Sequence, residues 1–198
     1  MYSLPTTIKI RDSEFNIRNK GDYRVVLDCF NALQDEELSE EERVISSLVI
    51  FYDDIHCFDD IVTLFPDEDT MKEAITGMYN FFNCGRSTIG ATQQYKLIDW
   101  TQDELLVCAG VNNVANTEIR ALPYLHWWTF MGYYMSVGDS VLATVVGIRH
   151  KIMAHKKLEK WEKEYKRDNP GYFVWKSTTL KDREQENLIR ELWNNGGK

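Results

Sequence analysis

The chain has 198 residues, 43% of them hydrophobic, 13% aromatic and 27% charged, with 4 Pro and 11 Gly. This composition excludes a long disordered chain, which is poor in apolar and aromatic residues, and the longest nearly uncharged apolar run, Val141 to Ile148, is far short of the ~20 residues of a membrane-spanning helix. The formal charge of −8 is uneven: residues 1–148 carry 10 Lys+Arg and 23 Asp+Glu, net −13, and residues 149–198 carry 13 and 8, net +5, which disfavours wholesale nucleic-acid binding and leaves a basic tail for a local polyanion or an acidic protein partner.

Met1 to Thr7 has neither a basic region nor an apolar core, so no signal peptide is expected and a soluble intracellular protein is the default. Residues 7–18 alternate: Ile8 and Ile10, a polar centre Arg11-Asp12-Ser13-Glu14, then Phe15 and Ile17. That is a short β-hairpin, too small to be stable without a packing partner. The period then turns helical. Asp22 caps a helix carrying Val25, Val26, Cys29, Phe30 and Leu33, and Ser39-Glu40-Glu41-Glu42 is a capping box opening a helix through Val44, Leu48 and Phe51. A further turn is expected over 59–65, closed by Pro66. Asp67 starts a helix with Met71, Ile75, Met78 and Phe82 as its apolar stripe.

Cys84 to Lys96 is small and polar with two glycines. It reads as a linker, which divides the chain into an acidic lobe (1–84), a linker (85–96) and an aromatic-rich lobe (97–198). The second lobe opens with Leu97, Ile98, Asp99 and Trp100. Thr101-Gln102-Asp103-Glu104 reads as another capping box, Asn112 to Thr117 as a turn, and Tyr124 to Val137 as a bulky helix after Pro123. Gly138-Asp139-Ser140 breaks the chain and caps a helix with Val141, Val145, Ile148 and Ile152 on one face, and residues 156–167 continue as a charged helix. Asn169-Pro170-Gly171 ends that helix. Ser177 or Thr179 opens a last one with Leu180, Leu188, Ile189, Leu192 and Trp193. A hairpin and about eight helices predict a mainly α, two-lobed fold.

Four cysteines stand singly at 29, 57, 84 and 108 and read as small reduced core residues; with no CxxC pair, structural zinc is not expected. On a continuous helix Asp53, His56 and Asp60 would share a face, as a divalent-metal site requires, but a helix end with solvated carboxylates is the stronger reading. His150 and His155 are five apart, among lysines and Arg149, rather than at the i,i+4 spacing of joint ligation. Cys57 and His56 are adjacent, so on a helix they diverge. There is no GxSxG elbow, no phosphate-binding glycine loop and no dinucleotide fingerprint. Neither catalysis nor a cofactor is expected. The stretch Arg149 to Arg167 holds eight Lys/Arg, with Trp161 and Tyr165 as possible stacking platforms for nucleic acid. The pairs Glu159–Lys163 and Glu162–Lys166 fit a solvated helix better, with Trp161 packed inward.

Leu125-His126-Trp127-Trp128-Thr129-Phe130 is the least ordinary string. Adjacent tryptophans on a helix point ~100° apart, so one is expected in the core and the other toward a partner. His126 reads as a hydrogen-bonded core histidine. Taken with Ile98-Asp99-Trp100, Ile148-Arg149, Lys157-Leu158-Glu159-Lys160 and Phe81-Phe82-Asn83-Cys84-Gly85, the string resembles the gene-product-fifteen family of siphophages infecting Gram-positive bacteria, over roughly residues 1–170. Asn112-Asn113 departs from the tyrosine-and-glycine turn with an aspartate that the family places after this helix. The resemblance implies a gene just before the tape measure gene, and a tail assembly chaperone that keeps the tape measure protein soluble in the host cytoplasm and is absent from the mature virion. It carries no catalytic residue. The partner contacts expected from the residues themselves are Trp127, Trp128, Trp161 and Tyr165 as apolar groups, with Arg149, Lys157 and Lys160 as charged ones. The partner is the tape measure protein, a second copy or a neighbouring tail chaperone; the alternative is nucleic acid on 149–167.

Overall fold

The alternation at the N-terminus forms strands β1 (Thr7–Ile10) and β2 (Ser13–Asn16), paired antiparallel with Ile8 opposite Phe15 and Ile10 opposite Ser13. A computed structural model describes residues 3–86 and 95–175 of the chain. Among them are eight α-helices: α1 (Tyr23–Leu33), α2 (Glu40–Phe51), α3 (Phe58–Leu64), α4 (Glu68–Phe82), α5 (Glu104–Ala115), α6 (Trp127–Met135), α7 (Val141–Met153) and α8 (Lys160–Asp168). The fold is therefore mainly α with a small hairpin, as the periodicity implied.

Four helix starts follow their local chemistry. Asp22, Ser39, Asp67 and Ser140 each accept a hydrogen bond from a first-turn N–H, at 3.0, 3.2, 2.9 and 3.1 Å, and the Glu42 carboxylate returns to Ser39 N at 2.8 Å. The hairpin rests on α4, where Gly77 permits the approach: a Cβ there would lie 2.5 Å from Ile8 Cγ2. Arg11, at the turn with φ +51°, reaches over to the Asp67 carboxylate at 2.9 Å.

Buried residues from Ile10 to Leu142 form one continuous core. Phe30 on α1 meets Phe82 on α4, Trp127 on α6 and Trp100 within it. Front and rear segments are also hydrogen-bonded: Tyr23 N donates to Leu125 O at 2.9 Å, and Leu125 N donates to Asp22 Oδ2 at 2.9 Å. Side chains on both sides of the expected linker thus share one interior. Most of that linker, and the helix expected after Ser177, lie outside the described residues.

The 53–60 segment is a helix end and not a continuous helix, in line with the stronger of its two readings: α2 ends at Phe51 and α3 begins at Phe58. The Arg18 guanidinium stops α2 by donating to the carbonyls of Val49, Ile50, Tyr52 and Ile55. The Asp60 carboxylate turns back to His56 N and Cys57 N at 2.8 and 3.1 Å, so Asp53, His56 and Asp60 do not line one face. Cys57 is exposed rather than a core residue, Cys84 is half-buried and Cys29 and Cys108 are buried; all four are free thiols. Asn112 and Asn113 lie inside α5, which ends at Asn116 in the left-handed conformation (φ +52°). Asn112 Oδ1 then accepts from Ile119 N at 2.9 Å, which fixes the exit of the chain. Helix α6 starts at Trp127 instead of Tyr124, since residues 125 and 126 are committed to the crossing with residues 22 and 23. No helix among the described residues is long and apolar enough to cross a membrane.

Candidate protein-interaction surface

The charged stretch 149–167 is two helices, not one. Helix α7 ends at Met153, His155 adopts φ +53°, and α8 begins at Lys160. Glu159 and Glu162 explain the restart: Glu159 N donates to Glu162 Oε2 at 2.8 Å, a capping arrangement in which both partners are acidic. The other Glu162 oxygen accepts from Lys151 Nζ on α7 at 2.6 Å. The Lys151 ammonium and the Glu159 amide together hold the Glu162 carboxyl below its ordinary range. Glu162, at 4% exposure, is thus the residue that α8 turns inward.

Trp161 is accordingly turned outward, at 54% exposure. The inward packing expected for it does not occur, because one turn of helix cannot bury both Trp161 and its neighbour Glu162. Around it Lys156, Lys157, Lys160, Lys163 and Lys166 are exposed, and none makes an ion pair among the described residues. Tyr165 is half-buried, its ring edge-on to Phe173 at 6.4 Å. Four of the seven expected contacts, Lys157, Lys160, Trp161 and Tyr165, therefore gather on α8 and its approach.

The other three are engaged within the fold. Trp127 is 1% exposed; its Nε1–H donates to Phe82 O at 2.9 Å and its ring stacks on Phe130 at 5.4 Å. Trp128 is half-buried, donates from Nε1 to Phe81 O at 3.0 Å, and borders a shallow groove of about 270 Å³ with Pro5, Ile8 and Gly77. The pair splits between core and periphery as adjacent helical positions should. Arg149 is the least like a surface contact. It grips Asp103 with two hydrogen bonds of 2.6 and 2.9 Å and donates to Leu97 O and Tyr172 O. Trp175 covers its guanidinium at 4.3 Å. Asp103 also accepts from Asp99 N at 3.0 Å, so the capping box expected at 101–104 is replaced by an inward-facing carboxylate.

His126 has the core role expected of it. Its Nδ1 accepts from Trp128 N at 3.0 Å, capping α6, and its Nε2–H donates to Pro5 O at 2.9 Å. Burial lowers its pKa, and the neutral ring is the form that satisfies both contacts.

Sequence reasoning missed a groove along the outer side of α1. About 640 Å³ in volume, it has Leu33 and Ile50 in its wall and Asp28, Asp35 and Glu36 at its rim. Burial raises the pKa of Asp28. Arg43 also lines the groove, and its buried Nε has no hydrogen-bond partner among the described residues. The acidic run 35–42 was visible as a sequence feature, but its place beside a largely polar cleft depends on how the 95–101 segment crosses α1. Among the described residues no group of three or more His, Cys, Asp or Glu is arranged to hold a metal ion.

The family model described as Bacteriophage Gp15 protein matches residues 1–172. Comparison with curated proteins and with solved structures gives no match.

Proposed function

The chain belongs to the bacteriophage Gp15 family, and from that premise we propose that it is a non-enzymatic tail assembly chaperone of a siphophage. In this reading it binds the tape measure protein in the host cytoplasm during tail morphogenesis and is left out of the mature virion. The observation that supports it most is Trp161, an indole more than half exposed on a helix whose lysines make no ion pair among the described residues. Large aromatic side chains placed in this way are the usual anchors of protein interfaces, and covering an aromatic of ~150–250 Å² is strongly favourable. A tape measure protein is long and helical, and its apolar stripes are open to water until tail tube subunits enclose it. Packing of helix against helix, with Trp161 and Tyr165 as apolar contacts and Lys157 and Lys160 meeting acidic side chains, would cover such a stripe. Trp127 and Arg149 act within the fold, by holding α6 and α7 in place, and Trp128 offers a separate half-buried ring beside the Pro5, Ile8 and Gly77 groove. The net −13 of residues 1–148 keeps the complex soluble.

Co-expression with the tape measure protein encoded beside it tests this reading. The expected result is co-purification and a gain in tape measure solubility, both lost in Trp161→Ala. No co-purification and no gain would reject it. The rival reading, nucleic acid on 149–167, loses its continuous stripe at the 154–159 break and loses Arg149 to the interior. It would regain support only from DNA binding whose affinity falls steeply and linearly with log salt.

A further inference from the structure

We propose that, in the absence of its client, the chain associates head to tail with itself: α8 of one copy enters the α1 groove of a second. The inference shares Trp161 with the reading above but does not rest on the identity of that client. Charge selects the occupant. The groove rim carries Asp28, Asp35 and Glu36, none of them ion-paired among the described residues, and the five lysines around Trp161 are equally without partners. With Asp28, Asp35, Glu36 and Asp99 against Arg43 and Lys96, the last paired to Asp99, the groove lining is net negative and so opposite in sign to α8 of the same chain.

The groove also has room for an aromatic ring. A volume of about 640 Å³ falls within the ~300–1,000 Å³ of pockets that accept bulky groups. Inside it stands a guanidinium with an unmatched buried Nε, that of Arg43. An indole face is a good partner for such a cation, so Trp161 of the second copy stacks on Arg43 while its lysines reach the carboxylates. Within one chain this cannot happen. Trp161 is not among the residues lining the groove, and the Glu162–Lys151 bridge pins α8 to α7. A groove-to-helix contact is heterologous, so association continues beyond the dimer unless a ring closes. Client and second copy then compete for α8, and self-association keeps the indole covered until a client displaces it.

Sedimentation velocity of the purified full chain, alone, over a concentration series at low and high salt, tests the proposal. Reversible association that weakens with salt is expected. Trp161→Ala and the double variant Asp35→Lys/Glu36→Lys should each weaken it ~10-fold or more; Trp161 and Glu36 are exposed, while Asp35 is half-buried and accepts from Glu37 N at 3.0 Å, so thermal melting of each variant is run beside the sedimentation to show that the fold is kept. The decisive arm is a one-to-one mixture of the two variants. Each retains the half that the other lacks, so the mixture should form a heterodimer and nothing larger. A wild-type chain monomeric throughout, association indifferent to either variant, or a mixture that stays monomeric would each overturn the proposal. All of these outcomes are read without the tape measure protein, and co-purification with it remains a separate result.

Discussion

Asp103 and Arg149, 46 positions apart in the sequence, close a two-pronged ion pair with side chains 1% and 4% exposed. The guanidinium also holds two carbonyls, so its donors are largely satisfied and the segment 95–103, α7 and the Pro170–Tyr172 turn are tied at one point. Removing one partner leaves the other charge buried and unpaired. Arg149→Ala and Asp103→Ala are each expected to cost ~3–5 kcal/mol, measured by urea denaturation, with the double variant far less damaging than the sum of the two.

Tryptophans at 127 and 161 should separate stability from binding. Trp127→Ala opens a cavity among Phe30, Trp100 and Phe130 and orphans Phe82 O, an expected loss of ~3–5 kcal/mol. Trp161→Ala should stay within about 0.5 kcal/mol of wild type while abolishing client capture. Thermal melting and co-purification, run on both variants, check the contrast.

Gly77 is where helix and hairpin touch. In Gly77→Ala the new methyl would meet Ile8 Cγ2 at 2.5 Å, a methyl on a β-branched carbon that cannot rotate away freely. An overpacking loss of ~1–3 kcal/mol is expected. Combining it with Ile8→Ala should cost less than the two single changes added together, because the second substitution vacates the contested space. Chemical denaturation of the four-membered cycle measures the coupling.

His126 predicts the acid limb of the stability profile. Burial holds its folded-state pKa below the ordinary 6.5. Below that pH the unfolded chain therefore binds more protons than the folded one, so stability is full above it and declines as pH falls through 6.5 and on toward the folded value. Protonation would also turn Nδ1 from acceptor to donor against Trp128 N. Melting temperatures between about pH 5 and 8 should fall toward acid, and His126→Asn should flatten the curve in this window. The carboxyls whose pKa values are lowered, Glu118 to about 2 among them, respond only at more acid pH.

Features readable from the sequence were those whose cause is local. A cap needs only an oxygen and an amide two or three residues apart, so Asp22, Ser39, Asp67 and Ser140 could be named from the string alone. The mainly helical class follows from periodicity for the same reason. Features set by distant residues were not readable. Nothing near Asp103 announces that it turns from capping α5 to meeting Arg149, and nothing near Phe51 announces that Arg18 stops α2. Exposure on α8 was misread because its most polar inward candidate, Glu162, is buried through Lys151, a residue of the preceding helix. The aromatic pair was legible in kind, one ring inside and one at the edge. Its assignment came only with the Phe81 and Phe82 carbonyls.

The crossing of residues 22–23 with 125–126 has a consequence for synthesis. A nascent chain halted near residue 84 has made its front helices but not Leu125, whose amide satisfies Asp22, nor the indole that caps the Phe82 carbonyl. Maturation must wait until α6 has cleared the ribosome, and a gene split between the two parts should yield active material only when both fragments are translated in the same cell.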